Sequence, residues 1–427
     1  MAILEDDDLF RVASLYHTPL YIFYEQTIRE RCAELKRCIT YKNYKIRYAC
    51  KALTLRAVLK IVREEGLWID ASSINEVHRA LRAGFEPDEI YYTGEGATRE
   101  VYGYLVDRGI LINCTSIDQL RLLGSVKGEV TDLRCSIRIN PGEGHGETNK
   151  TNTGGPSSKH GIYFDQVEDA RAVAATLGIK LVGVHSHIGS GADDLAPWLR
   201  IKDKTLDIAR GFPDLQFVNL GGGLPVVYHP TNDVRMPLAE WGAALSASMD
   251  LFSRELGKDV RLFIEPGRYV VAESGFLIAE VQSVKRTPDY NFVIVNTGLN
   301  HNIRPAMYGS YHPIRFVPRA PRPWAAEQDY VVAGYLCESG DVFTVKGDGT
   351  LDPRSFPPIH VGDLMVMSHV GAYSHSMKSD YNSMNMPASL MVYLDGSVSV
   401  IERRGNLSDI VRREVEAYSE GRAVVGM

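Results

Sequence analysis

Lys51 closes the run Ile46, Arg47, Tyr48, Ala49, Cys50. A lysine at the inner end of an apolar run is costly to bury unless it has a partner or a task. Three other places raise the same question. "HSHIGSG" carries His185, His187, Ser190 and Gly191; "NLGGG" ends in Gly221, Gly222 and Gly223; "FIEPGR" ends in Glu265, Gly267 and Arg268. Each has a bland reading when taken alone. The glycines could be a tight turn, His187 a satisfied core histidine, Glu265 an ion-pair partner for Arg268, and Lys51 a solvent-seeking lysine. Together they make a specific set: an amine, backbone N–H groups that can cradle a phosphate, an imidazole and a buried carboxylate. That set fits pyridoxal phosphate. An amine can condense with its aldehyde, and a carboxylate can keep its pyridine nitrogen protonated so that the ring accepts electrons. An imidazole can lie against the ring. Burial of Lys51 should lower its pKa and favour the neutral amine.

The elements that must position these groups follow a rhythm. Apolar runs fall at 45–50, 67–71, 89–94, 110–114, 133–140, 180–189, 215–223 and 260–268, with amphipathic stretches between them. Ser73 precedes Glu76, Ser116 precedes Gln119 and Asp165 precedes Glu168, each by the three residues of a helix-capping pattern. Eight strands alternating with helices predict a (β/α)8 barrel, with an open doubly wound sheet as the competing reading. In a barrel, the chemical residues above all fall at the C-terminal ends of strands, the end where such folds place their sites. Beyond residue 275 the alternating Val-, Tyr- and Gly-rich texture predicts an antiparallel β domain. The run "TPLYIFY" at 18–24 can add a strand to it, and "LSDIVRREVEAY" predicts a closing helix. The expected division is a barrel over 27–275 and a β domain over 1–26 and 276–427.

With 427 residues, two domains are expected. A net charge of -6 gives no electrostatic reason to bind nucleic acid or an anionic membrane. No apolar run approaches the roughly 20 residues of a membrane span. The acidic N-terminus lacks the features of a signal peptide, and the six cysteines are scattered without a CxxC pair. These features predict a cytoplasmic chain with reduced thiols and call for no metal.

Seven segments, in order, resemble the barrel-type pyridoxal-phosphate amino-acid decarboxylases, and within them the diaminopimelate decarboxylases. They are "YACKA", "GVHSHIGSG", "NLGGG", "EPGRYVVAESG", "NHNIRPAMYGSYH", "CESGDVF" and "GAYSHSMKSDYNS". The resemblance implies that Lys51 binds the cofactor covalently, that His187 stacks on its ring and that Glu265 pairs with its ring nitrogen. It implies that Ser190, Gly221, Gly222, Gly223, Gly267, Arg268 and Tyr381 hold the cofactor, mostly at its phosphate. Arg268, Arg304, Tyr308, Glu338 and Tyr381 would hold the substrate, and Cys337 would supply a proton. Cys337 and Glu338 would come from a neighbouring subunit, so a homodimer is implied. The implied reaction is decarboxylation of meso-diaminopimelate to L-lysine. A sister activity on D-lysine, D-ornithine or another precursor, and a non-catalytic binder on the same fold, are the alternatives. Asn296, Tyr335, Ser374, His375 and Met384 depart from the family pattern. Tyr335, Ser374, His375 and Met384 are expected near the substrate's distal end.

Overall fold

The computed structural model describes residues 4–128, 130–147, 150–231, 233, 235–323 and 325–414. Strand β1 (Leu20–Tyr24) precedes the first barrel strand. The barrel region holds β2 (Tyr44–Ala49), β3 (Trp68–Ala71), β4 (Ile90–Tyr92), β5 (Leu111–Cys114), β6 (Leu133–Asn140), β7 (Ile162–Tyr163), β8 (Ile179–His185), β9 (Phe217–Asn219) and β10 (Arg261–Ile264). All except the short β7 pair side by side in parallel, and the β10–β2 and β5–β6 pairings close the ring. The open-sheet alternative is thereby excluded. Each of the eight apolar runs supplies one barrel strand.

Two of the three capping patterns form. Ser73 Oγ accepts from the Glu76 N–H at 3.2 Å, and Ser116 Oγ accepts from the Gln119 N–H at 3.2 Å. Asp165 does not cap a helix. It lies inside a 3-10 turn, Phe164–Gln166, and the following helix starts at Val167 behind Gln166.

Past the barrel come β11 (Gly275–Arg286), β12 (Asn291–Val295), β13 (Ile314–Val317), β14 (Gln328–Ala333), β15 (Arg354–Phe356), β16 (Leu364–Ser368), β17 (Ala388–Val392) and β18 (Val398–Glu402). With β1 they form one nine-stranded sheet. Its pairings are antiparallel except for β1–β17 and β12–β14, which are parallel. β1 sits between β11 and β17, so the strand expected from "TPLYIFY" is interior to the sheet and buried along its whole length. The closing helix is seen over Leu407–Val411, and the stretch from residue 415 onward lies outside the described residues.

Candidate active site

The barrel interior is built in layers by the two-residue period of a strand. Its floor is an apolar cluster of Tyr91, Val182, Phe217 and Phe263, with Trp68 and Leu111 against it. Arg47 is buried among these rings, with its guanidinium 4.2 Å from the Phe263 ring centre, 4.9 Å from Tyr91 and 5.0 Å from Trp68. Two residues further along four of the strands, polar groups follow the floor residues. Asp70 follows Trp68, Asn113 follows Leu111, Asn219 follows Phe217 and Glu265 follows Phe263. All four are buried.

Above this layer opens a cavity of about 220 Å³. Lys51, from the turn Cys50–Ala52 that ends β2, opens into it. His187, Ser190, Gly222, Gly223, Glu265, Gly267, Arg268, Arg304 and Tyr308 line it too. The glycine loop after β9 accepts no side chains. Gly221 and Gly223 have φ of +68° and +114°, and a Cβ on Gly222 would lie 2.1 Å from the Glu265 carbonyl oxygen. The Gly222 N–H donates to His187 Nδ1 at 3.1 Å. Arg268 is buried, and it does not pair with Glu265. It donates to Glu147 Oε2 at 2.6 Å and to Ser190 Oγ at 3.0 Å.

The electrostatics separate the two buried carboxyls. Glu265 is pushed up by burial but held down, at about 2, by His185, Asn219 and Lys51. Its Oε2 lies 3.2 Å from His185 Nε2, and Asn219 Nδ2 donates to its Oε1. Asp70 is raised well above the usual carboxyl range by burial and by the Glu265 charge. His187 shows one face to the cavity yet is enclosed by protein; burial, then the Arg138 and Lys51 cations, push it well below its ordinary value. Lys51 corrects an expectation. Burial does pull its pKa down, but the Asp70 and Glu265 carboxyls and Tyr373 outweigh that pull, and the net shift is upward.

Three expected residues lie elsewhere. Cys337, Glu338 and Tyr381 do not line the cavity of their own chain. They cluster on an exposed surface, where Tyr381 OH donates to Glu338 Oε2 at 3.4 Å and the Cys337 N–H donates to Asn382 Oδ1 at 2.9 Å. Beside the expected Tyr308, Tyr373 lines the cavity, and its N–H donates to the Ala52 carbonyl at 2.9 Å beside Lys51. Arg138, His160, Thr151 and Thr153 also line the cavity and were not among the expected site residues; the last three share the segment 140–162, which resembles a loop of the family. The departures from the family pattern fall outside the lining as well. Asn296 bonds Thr18 and the Glu280 N–H, Ser374 donates to Asn302 Oδ1, and His375 contacts Glu402. Neither Tyr335 nor Met384 reaches the cavity of its own chain.

The residues present fit pyridoxal phosphate. Asp70 Oδ1, Arg138 Nη2 and Arg268 Nε are buried without a hydrogen-bond partner, and the glycine loop has no room for a Cβ. Comparison with known proteins agrees. Residues 25–272 match the family "Pyridoxal-dependent decarboxylase, pyridoxal binding domain". Diaminopimelate decarboxylase of Escherichia coli K12 is 36% identical over 418 residues, covering 96% of this chain and 97% of that one. The chain belongs to the pyridoxal-dependent decarboxylases. The Streptomyces coelicolor diaminopimelate decarboxylase is 38% identical, covering 97% of this chain and 93% of that protein. A crystal structure of a diaminopimelate decarboxylase superposes with a TM-score of 0.90 at 36% identity, covering 98% of each chain. That of Helicobacter pylori, complexed with L-lysine, gives 0.84 at 29% identity, covering 95% of this chain and 98% of that one. As a member of this family, the protein is a pyridoxal-phosphate-dependent carboxy-lyase. No helix among its described residues is long and apolar enough to cross a membrane.

Proposed function

We propose that the protein decarboxylates meso-diaminopimelate to L-lysine and carbon dioxide. Arg304 carries this reading. Its side chain is 1% exposed, yet it lines the same cavity as Lys51 and Glu265. Its hydrogen-bond partners are neutral: it donates to His312 Nε2 and Ser310 Oγ, both at 3.2 Å, and its guanidinium lies 4.8 Å from the Tyr228 ring centre. The nearest carboxylate, Glu147, is 4.0 Å away and already bonded to Arg268. A buried guanidinium so placed offers a fork to a substrate carboxylate. Diaminopimelate brings a second carboxylate to that fork; lysine and ornithine bring none.

Each residue then has a task. Lys51 would hold the cofactor covalently and would yield its place to the substrate amine. Gly222, Gly223, Ser190 and Arg268 bind its phosphate, and Tyr373 closes that side. His187 packs on the ring. Glu265, kept ionised, would accept a hydrogen bond from the protonated ring nitrogen. When bound, pyridoxal phosphate supplies the sink for the electron pair left as the carbon–carboxylate bond breaks. Cys337 of a second copy gives its thiol proton to that carbon, and the second copy's Glu338 and Tyr381 meet the substrate ammonium. The exposure of all three on their own chain supports this homodimeric sharing. A cytoplasmic setting fits six unpaired cysteines.

The test is substrate preference. Truncating the carboxylate strands a buried Arg304, which costs several kcal/mol, roughly 3 to 5. We expect kcat/KM for meso-diaminopimelate to exceed that for D-lysine by two orders of magnitude or more, and Arg304→Met to abolish the gap. Equal values in the wild-type enzyme would refute the assignment.

A further inference from the structure

Glu265 is held by a chain of buried polar side chains that crosses the barrel interior. Asn219 is oriented without ambiguity, because its Oδ1 accepts from the Gly221 backbone N–H at 2.9 Å. Its amide nitrogen therefore faces Glu265 Oε1 and donates to it. On the other side of the carboxylate stands His185, 2% exposed, with Nε2 3.2 Å from Oε2. The second ring nitrogen, Nδ1, is 2.7 Å from Asn113 Nδ2. Asn113 is itself pinned from two directions. Its Oδ1 accepts from Ser136 Oγ at 2.8 Å, and its Nδ2 also donates to Thr93 Oγ1 at 3.2 Å. Ser136 has spent its proton on Asn113, so Tyr91 OH, 2.7 Å away, donates to Ser136 Oγ. The Tyr91 ring is fixed in turn by the Arg47 cation on the barrel floor.

This donor–acceptor order admits one proton position on His185. An amide N–H pointing at Nδ1 needs a lone pair there. The ring proton then resides on Nε2, which faces Glu265 Oε2 at 3.2 Å. With the amide reversed, a neutral ring would turn its lone pair toward a carboxylate. An imidazolium would need that reversed amide, and burial, which lowers the His185 pKa, opposes the charge.

We propose that Asn113 is a positioning residue that holds His185 as its Nε2–H tautomer, so that Glu265 stays an acceptor-only carboxylate for the cofactor's ring nitrogen. The proposal rests on the role given to Glu265 above. None of Asn113, Ser136 and Tyr91 lines the cavity, so each acts through its neighbour.

The experiment is 15N NMR of holoenzyme labelled at histidine, with His185→Gln used to assign the resonances, alongside steady-state kinetics. Wild-type His185 should show a protonated Nε2 and an unprotonated Nδ1. Asn113→Asp puts an acceptor where a donor stood, so Nδ1 should become protonated. Its kcat should fall roughly ten- to hundred-fold, the size of effect that orienting hydrogen bonds have on histidine ligands, with KM changed by less than about three-fold. A protonated, neutral-form Nδ1 in the wild-type protein would overturn the proposal. So would an Asn113→Asp variant that keeps both the wild-type signature and the wild-type kcat. The wild-type spectrum decides the matter even if the variant does not fold. An unchanged kcat in Glu265→Gln would instead sink the role of Glu265 and leave the tautomer assignment standing.

Discussion

Glu265 accepts from Asn219 at Oε1, faces His185 Nε2 at 3.2 Å through Oε2 and has its pKa lowered to about 2, so it brings a full negative charge to a buried layer. Replacing it by Gln keeps the shape and removes the charge. We expect Glu265→Gln to bind cofactor but to lose kcat by about two orders of magnitude or more, where each factor of ten is about 1.4 kcal/mol of transition-state stabilisation. Lys51→Ala should lose the visible absorbance of covalently bound cofactor together with turnover. Retention of both in that variant would reject Lys51 as the attachment point. Lys51, His187 and Glu265 were legible in the sequence because each interrupts or ends an apolar run. The upward shift of Lys51 was not legible, because it depends on Asp70, a residue from the neighbouring strand. Tyr373 and Tyr381 lie eight positions apart in one tyrosine-rich segment, and pattern alone does not choose between them. The choice is made by a backbone hydrogen bond from Tyr373 to Ala52, on the turn that carries Lys51.

The site is made by elements as much as by side chains. The loop after β9 must pass within van der Waals reach of the Glu265 backbone at the end of β10, and only glycine leaves room there. Gly222→Ala should therefore force the loop away and weaken cofactor binding by at least about ten-fold, a loss near 1.4 kcal/mol, while the far-ultraviolet circular dichroism stays native. Titration of the apoenzyme with pyridoxal phosphate measures it, and an unchanged affinity would mean that the loop is not the phosphate cradle. Strand positions were legible because a strand buried on both faces reads as a continuous apolar run. Ser73 and Ser116 were legible as caps because both precede helices directly. Asp165 misled because a 3-10 turn intervenes before its helix. The parallel β1–β17 and β12–β14 pairings were not legible, since register and direction between distant strands leave no mark in a local pattern.

At the scale of the whole molecule, many histidines are buried in their neutral form. Burial lowers the pKa of His185, His187, His312 and His375, and holds His301 at about 3. Below the ordinary value of 6.5 the unfolded chain binds protons that the folded chain refuses, so stability must fall as pH falls. Glu265 and Glu402, both depressed to about 2, add a loss of the same sign below 4.5. The urea midpoint should hold steady from pH 8 to 7 and decline from about 6.5 downward; a midpoint unchanged down to pH 5 would contradict this burial. The shared site makes a further demand. Mixing Lys51→Ala with Cys337→Ala, each inactive, should restore part of the activity, because a hybrid dimer holds one complete site. No recovery from hybrids proved to form would place both residues in one chain. That the molecule has a barrel and a β domain, with the cavity-lining residues at the strand ends, could be read from its sequence, whereas the proposed completion of the site by a second copy came only from the resemblance. The central claim is the reaction itself, and its most direct test is to incubate the holoenzyme with meso-diaminopimelate and follow carbon dioxide and the chirality of the amino-acid product. The account predicts carbon dioxide and L-lysine in equal amounts; no carbon dioxide, or a product other than L-lysine, would contradict it.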